Sequence, residues 1–424
     1  MSKKWWPIFN IEESIARIIS NAEEQVWEQH NKISTNALFN QSKVLEAFQA
    51  ENITEECFLS NEGYGYNDHG REKLEALFSR VFKGEEAIVR PHFVSGTHTL
   101  FACLKGILRP GDRMVSLTGQ PYDTLSRAIW GNKKDTNNLS SLFGWGIDVV
   151  SYKNDLEKDA AKCVQLESVL ENPTKVVFIQ RSRGYSPERN SLTVGEIGRL
   201  VNIIKKYNSK LTIFVDNCYG EFVETLEPLE VGVDLIAGSL IKNPGGGLAP
   251  TGGYVVGKRS LVKQVSEAMT APGLGKELGA FVSGKRLYYQ GLFMAPHVVG
   301  EALKGAVTIA AALQLMGYRV EPGPADKRGD IVQSVYLKGR DELHAFCRAV
   351  QHFSPVNSHV TPEAGKTAGY ADPIFMAAGT FVQGASSEFT ADAPLRRPYV
   401  LYLQGGLTYE HTILGLASIL NTIK

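Results

Sequence analysis

The sequence predicts an α/β protein: a mostly parallel sheet covered by helices, followed by a smaller C-terminal α/β domain. Three observations predict it. Apolar runs of strand length alternate with helix-period segments throughout residues 85–257. Several of those runs end abruptly in a charged residue and a Gly-rich or polar loop, as strand exits in such sheets do. Beyond 257 the pattern becomes Gly-interrupted and then strongly helical, and 318–424 mixes short strands with helices. The expected boundaries are a helical N-terminal arm over 1–60, a large domain over 61–300 and a small domain over 301–424.

In the arm, Ile11, Ile15, Ile18, Ala22 and Val26 stand near helical spacing, and Val44, Leu45 and Phe48 continue the pattern. The stripe is expected to pack on the body or on a second subunit. Glu12, Glu13, Glu23 and Glu24 around it argue against a membrane role. A polar loop then carries Tyr64, Tyr66, His69 and Arg71, donors suited to an anion. The helix face Leu74, Leu77, Phe78, Val81 and Phe82 follows. After a short strand at Ala87–Val89, Ser95, Gly96 and Thr97 open a helix faced by Leu100, Leu104, Ile107 and Leu108. Free N–H groups at such a start make a phosphate site, and Ser95 is also an ordinary N-cap residue. RPGDRMVSL reads as turn and strand, with Tyr122 in the loop beyond it. Its ring is placed to stack on a flat cofactor or to pack in the core. Residues 131–146 read as an irregular loop and Ile147–Tyr152 as a strand.

Val176–Gln180 is a strand running straight into Arg181 and Arg183, candidates for a carboxylate or a phenolate oxygen. Thr193 and Glu196 have capping-box spacing before the next helix. The strand Leu211–Val215 then ends at Asp216. VDLIAGS, another strand, leads to Ser239 and Lys242, followed by glycines at 245–247, 252 and 253 that let the backbone approach something closely. A lysine just past a buried strand is costly unless paired, neutralised or used covalently. Lys242 fits a Schiff base with a carbonyl cofactor such as pyridoxal phosphate, and Asp216 fits the carboxylate that keeps its pyridinium protonated. Near the C-terminus Arg396 and Arg397 precede the strand Tyr399–Gln404, where either fits a substrate carboxylate.

Composition bounds the rest. The 424 residues carry 45 acidic and 45 basic side chains, and 43% are hydrophobic, so neither nucleic acid nor a membrane surface is favoured as partner. Five cysteines, at 57, 103, 163, 218 and 347, form no CxxC pair, which fits a reducing cytoplasm. The nine histidines show no HExxH, so no metal site is expected. GxxxxGK[ST] is absent, which disfavours a P-loop nucleotide binder.

The ordered motifs SGTHT, PYDTL, IQRSRGYS, VDNCYGEF, GSLIKNPGGGLAPTGGY, GLFMAPHVV and YLQGGLTYEH resemble the methionine gamma-lyase-like, "aluminium resistance" branch of the Cys/Met-metabolism pyridoxal phosphate enzymes. The resemblance runs from about residue 10 to the C-terminus. It implies the pyridoxal phosphate-dependent transferase fold type I, with a mostly parallel seven-stranded sheet. It also implies a homodimer or homotetramer with cofactor sites at a subunit interface. By position, Lys242 would bind the cofactor, Asp216 would face its ring nitrogen and Tyr122 would stack on it. Ser95, Gly96, Thr97 and Ser239 would hold the phosphate. Tyr64 and Arg71 would reach the partner subunit's phosphate. Three features depart from the wider family: Ile241 stands where a threonine precedes the lysine, Tyr64 and Arg71 are spaced more widely than its Tyr-x-Arg loop, and Tyr402 stands where an arginine binds substrate carboxylate. The implied activity is carbon–sulfur lysis of a sulfur amino acid, by beta- or gamma-elimination, to thiol, ammonia and a 2-oxo acid. An aminotransferase or gamma-replacement transferase, and a cofactor-binding protein without turnover, are the alternatives on the same scaffold.

Overall fold

The computed structural model describes residues 6–9, 11–131, 139–152, 170 and 174–423. Cys163 and most of the first half of the expected loop 131–146 lie outside the described residues. The large sheet contains β1 (Glu86–Arg90), β2 (Arg113–Ser116), β3 (Asp148–Ser151), β4 (Thr174–Gln180), β5 (Thr212–Asp216), β6 (Leu235–Ser239) and β7 (Gly253–Gly257). Their order is β1-β7-β6-β5-β4-β2-β3. Only β7 runs against its neighbours; the other pairings are parallel.

Period-2 alternation sends successive strand residues to opposite faces, and both faces are buried. Ile213 and Val215 enter one core, with Val177, Ile179, Ile236 and Val256. Phe214 enters the other, with Val176, Phe178, Leu235 and Val255. The first core is closed in part by α3 (His69–Phe82) and α6 (Val194–Tyr207). The second is closed by α4 (Gly96–Ile107), α5 (Asp123–Trp130) and α7 (Arg259–Met269). The capping box at Thr193 and Glu196 is formed as expected.

The small antiparallel sheet joins β8 (Arg319–Glu321), β9 (Gln333–Tyr336), β10 (Ile374–Ala377), β11 (Thr390–Pro394) and β12 (Val400–Gln404) in the order β10-β11-β12-β9-β8. Against it lie α9 (Arg340–His352) and α10 (Tyr409–Ile423). The two sheets share α8, a helix running over Arg286–Leu315. Its first half supplies Tyr289, Leu292, Ala295 and Val299 to the core under the large sheet. Its second half supplies Val307, Ile309, Ala311 and Leu313 to the core of the small one. The expected boundary at residue 300 therefore falls inside one rigid element. Among the described residues α8 is the one helix long and apolar enough to cross a membrane, yet 78% of its most apolar window is buried inside the molecule.

The N-terminal arm is helical, α1 (Glu13–Gln25) and α2 (Trp27–Ala50), and it packs on the body of its own chain. Ile15, Ala16, Ile19 and Ala22 enter the core of the small sheet. Asn40 is fully buried on α2, where its Nδ2 donates to the carbonyls of Phe222 and Glu224 at 3.0 Å each. That ties the arm to the segment leaving β5.

The glycines after Lys242 do approach their surroundings closely: Gly245 and Gly246 meet α8, Gly247 meets Leu407, Gly252 meets Arg90 and Gly253 meets Thr99. Gly246 takes a left-handed φ of 52°, and a Cβ there would run into the Gly291 carbonyl. A Cβ on Gly291 would run into the Gly245 carbonyl in return. Loop and helix touch backbone to backbone, which fixes the segment carrying Lys242. Gly291→Ala is therefore expected to lower stability by about 1–3 kcal/mol, as overpacking does. The denaturant midpoint reads that loss, and weaker cofactor uptake at matched concentration should accompany it.

Candidate functional site

A cavity of about 330 Å³ opens between the carboxyl ends of the large sheet's strands and one face of the small sheet. Asp216 and Lys242 line it, contributed by neighbouring strands β5 and the exit of β6. The Lys242 Nζ sits 4.0 Å from the centroid of the Tyr219 ring. Tyr219 holds a φ of 71°, rare for a residue with a side chain, so the turn after β5 carries backbone strain beneath the lysine. Asp216 is buried, and its Oδ1 accepts from the Cys218 N–H at 3.1 Å. Burial raises the Asp216 pKa, with Lys242 and the Cys218 bonds pulling the other way. Burial also opposes charge on Lys242. Cys218, Tyr219, Tyr122 and Asp216 outweigh it and hold the lysine pKa well above the usual value.

Another wall of the cavity is built on α4, beside the exit of β6. Ser95 is its N-cap, and its side chain accepts from the His98 N–H at 3.1 Å. The N–H groups of Gly96 and Thr97 donate to nothing within the described residues. Ser239 packs against Gly96, where an added Cβ would come within 3.2 Å of the serine Cβ. Only glycine leaves that approach open. Thr97 Oγ1 bonds the Tyr122 hydroxyl at 3.1 Å and Thr124 Oγ1 at 2.8 Å, and Tyr122 N–H donates to Gln180 Oε1 at 3.0 Å. The Tyr122 ring is thus clamped along the cavity between α4 and β4.

This arrangement fits pyridoxal phosphate by its donor set. Two free amides at a helix start match a phosphate, a buried carboxylate matches a cationic ring nitrogen, and a lysine stands between them. Ser95, Gly96, Thr97, Tyr122, Asp216, Ser239 and Lys242 all line the one cavity.

Other sequence-predicted residues lie elsewhere. Arg71 is buried and spends its guanidinium on the carbonyls of Gly65, Glu277 and Gly279. It staples loop 61–66 to loop 276–281 instead of reaching outward. Arg181 is fully buried against Asn217, Glu224 and Glu227. Arg183 is held by Glu321, with its backbone N–H on Asp330. Both arginines answer buried or partly buried acids; Arg181 lines neither this cavity nor its neighbour, and Arg183 lines only the neighbouring one, bordered by Arg396 and Arg397. Tyr64 stands 71% exposed on the surface, 5.6 Å ring to ring from Tyr66. Arg396 and Arg397 border a neighbouring cavity of about 450 Å³ that shares Tyr122, Gly184, Tyr185 and Tyr402 with the first. There Arg396 pairs with Asp372 at 3.2 Å and donates to the Tyr185 carbonyl at 2.9 Å, while Arg397 is exposed.

Sequence reasoning missed Asp392, Thr390 and Gln404, which bring the small sheet into the cavity wall. The available signal was a lone acid inside the strand-length run TADAP, flanked by small apolar residues.

The family described as methionine gamma-lyase matches residues 15–424. An uncharacterized protein of Bacillus subtilis, YnbB, is 46% identical over 93% of this chain and 93% of its own. A solved structure from Clostridium novyi, described as a carbon-sulfur lyase involved in aluminum resistance, superposes with a TM-score of 0.92. It is 43% identical and covers 100% of this chain and 99% of that one. A pyridoxal-5'-phosphate dependent protein of Escherichia coli, YhfS, shares the fold at a TM-score of 0.61 and 15% identity, covering 92% of this chain and 97% of that one. The architecture is that of the fold type I enzymes.

Beneath the lysine segment, Glu221 is fully buried and accepts from the Tyr254 hydroxyl at 2.6 Å. Burial pushes its pKa up to about 8. Between the unfolded value and about 8, folding takes up a proton at Glu221, so its contribution to stability is full at low pH and is lost as pH rises to about 8. Wild type should lose stability over that window relative to Glu221→Gln, by up to about 1.4 kcal/mol per pH unit. Denaturation midpoints of the pair from pH 5 upward check it; parallel curves would remove Glu221 as the titrating group.

Proposed function

The chain belongs to the methionine gamma-lyase family, and from that premise we propose that it is a pyridoxal phosphate-dependent carbon–sulfur lyase acting on a sulfur amino acid. The observation that carries the reading is the pairing of Asp216 and Lys242 at adjacent strand exits, in one cavity with the free first-turn amides of α4.

Ser95, Gly96, Thr97 and Ser239 would hold the phosphate, Asp216 the ring nitrogen and Tyr122 one face of the ring. The cofactor, when bound, supplies an electron sink that stabilises negative charge at the substrate Cα. Lys242 would hold the cofactor through its Nζ and, with that nitrogen free, would take the proton from the substrate Cα. The carboxylate that faces the ammonium must be matched by another cation before Nζ is a usable base. Asp216 is where that cation belongs. With the proton on Lys242, the C–S bond breaks, the sulfur leaves with the bonding pair and is protonated to a thiol. Water then releases ammonia and a 2-oxo acid. The cavity is walled by Tyr122 and by residues of the small sheet.

We further read the working unit as a homo-oligomer. Loop 61–66, stapled by Arg71, presents Tyr64 and Tyr66 to solvent beside the exposed Val282, a surface suited to a second copy. In this reading Tyr64, exposed on that loop, would reach a neighbour's site.

Purified protein incubated with pyridoxal phosphate is expected to develop a visible absorption band, and L-methionine, L-cystathionine or L-cysteine to perturb it with release of thiol and 2-oxo acid. Lys242→Ala should lower thiol release by roughly 10²–10⁴-fold, the range lost with a general base. A protein that stays colourless after incubation sinks the reading from Lys242 outward.

A further inference from the structure

The Lys242 ammonium rests on a ring. Among the described residues its Nζ makes no hydrogen bond and no ion pair, and it sits 4.0 Å from the centroid of Tyr219. The other tyrosines that line the cavity are engaged elsewhere. Tyr185 packs 6.0 Å from Tyr370 and 5.3 Å from Tyr402, ring to ring, and its hydroxyl donates to Asp392 Oδ2 at 2.8 Å. The Tyr122 hydroxyl is bonded to Thr97.

The backbone is strained to put the Tyr219 ring there. Its φ of 71° is a conformation natural to glycine or asparagine, yet the glycine beside it, Gly220, does not adopt it. Gly220 serves another need: a Cβ there would run into the side chain of the buried Arg181. Arg181 is itself fixed by Asn217 at 2.8 Å and by Glu224 and Glu227. The left-handed position therefore falls to the tyrosine, and such strain persists only where the surroundings over-determine it. Tyr219 packs against the core beneath the large sheet and against Val332, Val400 and Tyr402 of the small domain, so the ring is held from two sides.

A ring suits an amine that changes its charge. Its face attracts an ammonium through the quadrupole and has no such hold on a neutral amine. Nor does it fix Nζ by direction, as a carboxylate oxygen would. The contact thus separates two states of one nitrogen: protonated and held, neutral and free.

We propose that Tyr219 is the positioning residue of Lys242, a seat that holds Nζ while it carries a proton and releases it when the proton leaves. The use of that seat, to keep the proton taken from the substrate Cα, rests on the lyase reading. The seat itself rests on the geometry of the chain.

The test reads the lysine first in protein freed of cofactor. Acetylation of Lys242 by acetic anhydride is followed against pH by peptide mass, in wild type, Tyr219→Phe, Tyr219→Leu and Tyr219→Asn. The midpoint of the rate reports ionisation, whereas easier access changes only the plateau. Asp216, Cys218 and Tyr219 face Nζ from the exit of β5, Tyr122 from the loop before α5, Glu221 from beneath, and Tyr370 and Asp392 from the small domain. All but Tyr219 are common to the four proteins. The ring favours the charged amine, so its loss lowers the midpoint. Tyr219→Leu and Tyr219→Asn are expected to titrate roughly 0.4–1.5 pH units below wild type, the worth of a cation–π contact, and Tyr219→Phe with wild type. Asparagine tolerates the left-handed backbone, so that variant decides if the leucine one does not fold. Coincident midpoints in all four, or a Tyr219→Phe midpoint that follows the leucine variant, overturn the seat.

The loaded protein then reads its use. Exchange of the Cα proton of L-2-aminohexanoate, which has no sulfur to lose, for solvent deuterium is expected to slow in Tyr219→Leu and Tyr219→Asn. Exchange as fast in those variants as in wild type overturns a part for the seat in proton transfer. Absence of both exchange and thiol release in wild type, with the midpoints shifted as expected, overturns the lyase and leaves the seat standing.

Discussion

The structure turns on keeping an ammonium and a carboxylate in one cavity, the carboxylate buried and the ammonium half-buried. Lys242 and Asp216 share a cavity built largely from buried atoms, and either charge alone would cost several kcal/mol to hold there. The fold answers with rigid supports on every side. Asp216 is fixed by register in the sheet and by the Cys218 amide. The lysine segment is fixed by backbone contact with α8. Because α8 also runs into the core of the small sheet, the geometry of the charged pair and the packing of the second domain are set by one helix.

Much of this was legible in the residues. Long apolar runs ending in a polar residue gave the strands, since a strand buried on both faces tolerates charge only at its exit. The same logic placed Asp216 and Lys242, and the Ser-Gly-Thr start of α4, at the edge where ligands bind such sheets. What was not legible was pairing across distance. Arg181 and Arg183 read as free cations because their partners Glu224, Glu227 and Glu321 lie between 43 and 138 positions away in the chain. Arg71 bonds only carbonyls, which no side-chain pattern can announce. The glycines after Lys242 signalled close approach correctly, but one of the partners is another glycine on α8, and a glycine inside a helix gives no hint of what it faces.

Asp392 was hidden for a different reason. Its strand is short and built of small residues, and its acid faces a cavity that exists only once two sheets have docked. A residue whose role depends on the meeting of two domains leaves little trace in local periodicity. The aromatic frame around it is equally scattered: Tyr185 follows β4, Tyr219 follows β5, and Tyr370 and Tyr402 belong to the small domain.

One feature of the large sheet bears on how such a site can change over time. Strand β7 returns against β6, so Ser239 pairs with Gly253, and the Leu240 N–H donates to the Gly252 carbonyl at 2.9 Å. The segment bearing Lys242 is therefore a closed hairpin connection whose two ends are stitched together by the ladder. The entropy of closing such a loop grows only slowly with its length. Ala249 is buried in the core of the large sheet, so insertions would meet a small thermodynamic obstacle only at the exposed corner around Pro250. The sheet and that buried alanine anchor the reactive nitrogen from both sides, and room for change is confined to the corner beyond them.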